Sequence, residues 1–222
     1  MLCQFTVKNY KSIRDEITFD MQAAAISEHK DRIIEDVDGE FYLPVSAIYG
    51  PNGGGKSNVL EAINTLVTKI LRPIYAAADT EGYALLKKKI IVEPFAFLQE
   101  YRENPTEFEL FFRTDSAEYR YILHVKRDIV VYESLDRVKL ATGRRSALFT
   151  RDEKGVDLKG TFAKIKVSDD LSKTLALLSY LGIAYKENAV VKDVLNWFKF
   201  GIDFLNYGNP IQELRMAVST SE

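Results

Sequence analysis

The chain has one cysteine, Cys3, and two histidines, His29 and His124, among 222 residues. A single thiol excludes an intramolecular disulfide framework, and so small a stock of Cys and His cannot furnish a structural zinc site. The scarcity of cysteine fits a reducing compartment, so a cytoplasmic protein is the expectation. There is no uninterrupted apolar run of membrane-spanning length. Lys8, Lys11, Arg14, Asp15 and Glu16 break up the N-terminus, so neither a membrane contact nor an export leader is expected. Excess charge is lacking too: 30 Lys and Arg against 32 Asp and Glu leave a net charge of −2. The chain as a whole therefore lacks the cationic footprint of a dedicated nucleic-acid binder, and any such surface is local. No repeat, low-complexity tract or long linker interrupts it. What is present is 46% hydrophobic and 28% charged, the composition of a folded protein long enough for a sizeable core without covalent staples.

Alternation in the first twenty residues predicts two strands, with Phe5 and Val7 on one face of the first and Ile17 and Phe19 in the second, joined by Lys8 to Ser12. Ala23 to Ala25 could begin a short helix. The acidic run Glu35 to Glu40 reads as a solvated loop, because it does not meet calcium-loop spacing. Residues 43–49, Leu-Pro-Val-Ser-Ala-Ile-Tyr, predict a buried strand feeding a glycine-rich turn. Val59, Leu60, Ile63, Leu66, Val67, Ile70 and Leu71 then form the stripe of an amphipathic helix that Pro73 is expected to stop. From 90 to 138 the segments Ile90–Val92, Phe108–Phe112, Tyr119–Val125 and Ile129–Tyr132 alternate with turn signals at Glu103-Asn104-Pro105, Asp115-Ser116 and Arg127-Asp128. They predict an antiparallel meander of three or four strands. From about 168, Leu171, Leu175, Leu178 and Leu181, and then Val190, Val194, Trp197 and Phe198, return to helical spacing.

Gly50-Pro51-Asn52-Gly53-Gly54-Gly55-Lys56-Ser57 matches G-x-x-x-x-G-K-[ST], the phosphate-binding P-loop or Walker A motif. Glycines permit backbone angles that let successive N–H groups turn inward around phosphate oxygens at the positive end of the following helix. Lys56 is placed to reach β- and γ-phosphates, and the Ser57 hydroxyl to coordinate the bridging Mg2+. A hydrophobic segment before the motif and an amphipathic helix after it supply the context it requires. The expected ligands are ATP and Mg2+, although a P-loop reads phosphates rather than the base.

Tyr10-Lys11-Ser12-Ile13, together with Ala47 to Ile63 around the G-P-N-G-x-G-K-S-N form with Asn52 and Asn58, resembles the N-terminal part of ABC-type and AAA family ATPase heads. That group includes RecF, the structural-maintenance-of-chromosomes heads and the overcoming-lysogenization-defect nucleases, and the nearest likeness is to prokaryotic AAA family ATPases found beside nucleases and in phage defence. Val92 to Phe95, Tyr119 to Tyr121 and Glu133 to Leu135 are similar to the β-lobe of that group. The resemblance implies an α/β fold: a P-loop NTPase N-terminal lobe, ABC-ATPase-like, with an antiparallel β-lobe and a C-terminal helical segment. Residues 1–222 read as a single incomplete head, with a P-loop core at 1–75, a β-lobe at 90–138 and a helical segment at 168–222. It also implies that residues 50–58 hold nucleotide, with Lys56 catalytic, that Lys11 approaches it, and that the head works as a homodimer or with a partner, which could be a nuclease.

The same resemblance calls for a Leu-Ser-Gly-Gly-like signature and a Walker B strand ending in Asp-Glu, and neither is found. Leu178-Ser179-Tyr180-Leu181-Gly182 lies inside an apolar helical pattern, Ile129 to Glu133 lacks the preceding aspartate, and Phe200 to Asp203 fits no better. Gln99 and Gln212 are the nominations for a γ-phosphate-sensing glutamine. The chain thus reads as the first half of an ATPase head, a truncated product or one piece of a split protein, binding ATP and hydrolysing it once the missing half is supplied. A non-hydrolysing nucleotide-binding module stays open as an alternative. A small-molecule kinase is disfavoured for want of an acceptor lid, and a GTPase for want of a guanine motif. Nine Lys or Arg against three acids across 137–166 could line DNA, although a solvated loop accounts for them as well. Lys87 to Lys89 read as charges guarding a strand, His29, His124 and Cys3 as lacking catalytic partners, and Trp197 with its Phe neighbours as core. Ser219 to Glu222 read as a frayed end.

Overall fold

The computed structural model describes residues 1–24, 30–79 and 89–204. Antiparallel strands β1 (Leu2–Lys8), β2 (Ile17–Asp20), β5 (Thr106–Arg113), β6 (Ala117–Lys126), β7 (Ile129–Lys139), β8 (Arg145–Asp152) and β9 (Gly155–Leu158) form one seven-stranded sheet in the order β2-β1-β5-β6-β7-β8-β9. A two-stranded ribbon of β3 (Ile34–Glu35) and β4 (Phe41–Tyr42) stands apart from it. The predicted turns at 103–105, 115–116 and 127–128 all fall between strands. The sheet also runs past residue 138, through β8 and β9, and takes β1 as the partner of β5. Ile90–Val92 is a correction: it is irregular, held by the Val92 N–H donating to Arg127 O at 2.7 Å, with only Val92 buried.

Period-two alternation places Phe5, Val7, Phe108, Leu110, Phe112, Tyr119, Tyr121 and Leu123 on the buried face. Against it lies α1 (Lys56–Ala78), flanked by α2 (Leu177–Ala184) and α3 (Ala189–Phe200). Leu66, Val67, Ile70 and Leu71 of α1 are fully buried, each contributing about 1.5–3 kcal/mol of transfer free energy. The stripe is wider than predicted, because Thr68, Lys69 and Arg72 are buried too, whereas Leu60 is exposed. Pro73 does not stop the helix, which continues to Ala78. Proline removes one helical hydrogen bond, but the turn beyond it carries the buried Tyr75, and Ile74 packs against α2 close to Gly182. Burial outweighs the break.

The helical spacing from 168 is also corrected at its start: Leu171 and Leu175 lie in turns, and helix begins only at Leu177. What starts it is Glu133. This fully buried β7 carboxylate accepts from the Leu177 and Leu178 N–H groups at 2.6 and 2.9 Å and from the Tyr121 hydroxyl at 2.9 Å. It supplies the helix start with acceptors that Ala176, at the N-cap, cannot. The acidic run 35–40 is more than a solvated loop, since Asp36 and Asp38 both grip the buried Arg113 guanidinium, at 2.9 and 2.8 Å. The possible helix start at Ala23 to Ala25 runs out of the described residues, which also exclude His29, Lys87, Lys88, Gln212 and the C-terminal tail.

Candidate nucleotide site

The P-loop sits where the motif predicts, between a chain entering from 43–49 and the first turn of α1. Gly53 and Gly55 adopt φ of +79° and +82°, angles that L side chains rarely take, and a Cβ on Gly54 would meet Pro51 O at 3.0 Å. The helix start is left open: Gly55 at the N-cap offers no side chain to the first N–H groups, and the first turn holds no acid. Among the described residues, the positive end of this 23-residue helix therefore faces the loop with neither a side-chain cap nor a first-turn acid to satisfy it. Lys56 folds back over the loop, its Nζ donating to Gly50 O at 2.8 Å and Pro51 O at 2.7 Å, and Ser57 is exposed beside it. Gly50, Pro51, Asn52, Gly53 and Gly54 are exposed as well. These residues fit the phosphates and Mg2+ of a nucleotide: backbone donors, one ammonium and one hydroxyl at a helix start.

A second element meets the loop. The β1–β2 turn carries two non-glycine residues in the left-handed region, Asn9 at φ 55° and Lys11 at φ 49°. Tyr10 anchors it, with its ring buried against Phe108 and its hydroxyl 2.9 Å from Thr65 Oγ1 of α1. Ser12 then lies directly on the loop: its Oγ accepts from Asn58 Nδ2 at 2.6 Å and sits 2.8 Å from where a Gly55 Cβ would be. Lys11 pairs with Glu61 of α1. The structure thus places Lys11 and Asn58 at the border of the loop, together with Ser12 and Glu61. The Lys-Ser pair in the first connection was the signal for Ser12. Nothing in the sequence points to Glu61.

The segment entering the loop is corrected. Residues 43–49 form no strand, and no backbone hydrogen bond ties 45–49 to another strand among the described residues. Val45 and Tyr49 are 77% and 89% exposed. An apolar tract of this kind needs sheet neighbours on both sides to be buried, and no described strand runs beside it.

Other nominated residues lie elsewhere. Gln99 is exposed in a 3-10 turn, Gln99–Glu103. Glu133 is a structural cap rather than a Walker B acid. Ser179 donates to Ile70 O at 2.8 Å, and a Cβ on Gly182 would meet Leu195 and Ile74 side chains, so that stretch is helix packing. The 137–166 cations divide: Arg137, Lys139, Arg144 and Arg145 gather at the β7–β8 hairpin, Lys154 lies at the opposite end of β8, and Arg151 is buried, donating to Leu175 O and Ser172 O. Lys89 pairs with Asp128. Burial pushes the Cys3 thiol up to about 11, leaving little thiolate, and lowers His124, whose ring lies against Tyr132. Trp197 stacks on Phe112 with centroids 4.3 Å apart, in the core. No group of three or more metal-ligating side chains occurs among the described residues, and no described helix is long and apolar enough to cross a membrane.

No curated protein matches the chain. Residues 45–209 match the family described as "AAA domain, putative AbiEii toxin, Type IV TA system". That span is more than half of the chain and begins on the segment leading into the loop, so the protein belongs to this AAA-domain family, to which nucleotide binding of the ATPase type is proper.

Proposed function

We propose that the chain binds Mg-ATP through residues 50–58 and hydrolyses it to ADP and phosphate only with a Walker B strand and signature segment supplied by another polypeptide or a further part of the same one. The observation that carries this reading is the pairing of a formed phosphate loop with an unpartnered approach to it. Gly53, Gly55 and the open start of α1 are in place, while the apolar tract 45–49 lies exposed and, among the described residues, pairs with no strand. With nucleotide bound, Lys56 would exchange its two carbonyl partners for phosphate oxygens, and the Ser57 hydroxyl would hold Mg2+, which would supply charge stabilisation. Bound nucleotide supplies the phosphoanhydride to be cleaved. Catalysis of phosphoryl transfer is mainly positioning and charge stabilisation, and the one acid the described residues bring to the loop border, Glu61, is paired with Lys11, so the chain binds better than it turns over.

The exposed apolar tract 45–49 is the surface on which the completing half adds, from a second head or from a partner such as a nuclease. The resemblance to ABC-type heads related to RecF, and the toxin description of the family, support reading such an assembly as one of phage defence or DNA repair, working in the cytoplasm. DNA contact belongs to the Arg144–Arg145 hairpin end. Charge reversal at both arginines should weaken salt-sensitive DNA binding, and unchanged binding would sink that part.

Calorimetric titration of Mg-ATP into the wild-type chain and Lys56→Ala, with phosphate release followed on the same samples, tests the central reading. Binding lost in Lys56→Ala, with negligible turnover by either protein, is expected. Absence of binding by folded wild type overturns the claim for this chain, and rapid turnover overturns the claim that a half is missing.

A further inference from the structure

We propose that an open cleft of about 580 Å³ beside the phosphate loop receives the base of the same nucleotide, stacked on the exposed Phe97 ring that lies edge-on to Phe95. The inference rests on the reading of residues 50–58 as the phosphate site. Lys11, Ser12, Pro94, Phe95, Phe97 and Arg127 are among its lining residues.

Two of those residues belong also to the wall of the phosphate loop. Ser12 bonds to Asn58 and lies against Gly55, and Lys11 pairs with Glu61. The cleft therefore begins one turn of chain from the loop. Its aromatic side is pinned to that same turn: the Lys11 N–H donates to Glu93 O at 3.1 Å, and the Ala96 N–H donates to Lys11 O at 2.9 Å. Asn9 completes the frame. Its Oδ1 accepts from the Phe95 N–H at 2.9 Å, and its Nδ2 donates to Tyr101 O, Asn104 O and Pro105 O, each at 3.0 Å. Thr106 Oγ1 donates to Asn9 O at 2.6 Å. Left-handed backbone at Asn9 and Lys11 persists because these contacts over-determine it. A frame of this kind holds an adjacent surface ready rather than leaving it to order on binding.

The surface it presents suits a neutral π-system bearing acceptors. Phe95 packs edge-on to Phe97 and Tyr101, with centroids 5.5 and 5.6 Å away, and Phe97 remains 76% exposed. Ile91, 64% exposed, lines the same cleft, and exposed apolar side chains gathered on one surface, unlike singly scattered ones, mark a binding surface. Lys11, Arg102 and Arg127 line it with the carboxylate Glu93, while Lys11 also pairs with Glu61 and Arg127 with Glu103. Aromatic faces stack on any base, while the cations complement ring acceptors and the nearby phosphates.

The test compares Mg-ATP with inorganic tripolyphosphate, which occupies a phosphate loop but has no base, on wild type, Phe97→Ala and Lys56→Ala by calorimetry. Phe97 is too exposed for its truncation to threaten the fold. Wild type should bind ATP at least about tenfold more tightly than tripolyphosphate. Phe97→Ala should lose about tenfold for ATP with tripolyphosphate binding unchanged. Equal affinity of wild type for the two ligands, or ATP binding untouched in Phe97→Ala, overturns the base site while leaving the phosphate site standing. Failure of wild type to bind either ligand overturns both.

Discussion

The two ends of the chain's architecture solve the same problem differently. In the meander β1, β5, β6, β7 and β8 each have a neighbour on either side, and two charged groups buried there are answered within the chain: Glu133 by three donors, Arg113 by Asp36, Asp38 and Glu118. Around the phosphate loop the backbone of 45–49 pairs with no strand among the described residues, Lys56 borrows two loop carbonyls, and the start of α1 has no side-chain cap. A region that satisfies itself carries stability; a region left with open valences carries binding. Fold and function are therefore separable by mutation in this protein.

The strongest break in that contrast should come from the meander. Glu133→Ala leaves two helix N–H groups and a buried hydroxyl without an acceptor and is expected to cost about 3–5 kcal/mol in denaturant unfolding. Glu133→Gln keeps an acceptor and should cost less than half of that. Burial raises the Glu133 carboxyl above its ordinary 4.5, outweighing the hydrogen bonds from Leu178, Leu177 and Tyr121 and the nearby Arg151, which pull the other way. The sign follows: above 4.5 the folded state holds the proton more tightly than the unfolded one, so stability falls as pH rises from 4.5 through the raised value. Glu133→Gln should flatten that slope, and an unchanged slope would assign the pH dependence to other groups.

At the junction of the two regions the expected effect is intermediate. Gly55→Ala forces a side chain into φ +82° and places its Cβ 2.8 Å from Ser12 Oγ. A loss of about 1–2 kcal/mol is expected, together with weakened Mg-ATP binding. Adding Ser12→Gly should recover the steric part but not the backbone part. Full recovery would show that φ at this position is not the constraint.

What could be read beforehand follows the same division. Alternation and turn chemistry are local, so β1, β2 and the β5–β7 meander were legible from Phe5, Val7, Phe108 to Phe112 and the Asn104-Pro105 and Asp115-Ser116 turns. The P-loop was legible because its residues are contiguous. The errors came where a distant partner decides. Pro73 is carried through by packing of Ile74 and Tyr75, Leu171 and Leu175 are left out of α2 because its start is set by Glu133, some forty residues earlier, and Ile90–Val92 is drawn to Arg127 rather than into the sheet. The tract 43–49 has the composition of a buried strand but is exposed, because composition records the environment a segment is suited to, not whether that environment lies in the same chain. Nothing in the sequence around Asn9 or Phe95 foretold that one side chain would tie the two together.

The smallest effect on stability is the one that sharpens the comparison most. Val45→Ser with Tyr49→Ser alters two side chains that are 77% and 89% exposed, so unfolding should shift by no more than about 0.5 kcal/mol. Mg-ATP affinity should also hold, because neither side chain contributes to the loop's donors. If the tract is the seat of a completing half, the double variant should nonetheless fail to form the assembly that restores hydrolysis, whether that half comes from a second head or a partner. Sedimentation of the reconstituted mixture, read beside phosphate release, separates the cases. Intact assembly and turnover in the variant would mean that the exposed strand sequence is incidental. Loss of both with binding and fold unchanged would mark 45–49 as the surface where an isolated phosphate site becomes a catalytic one.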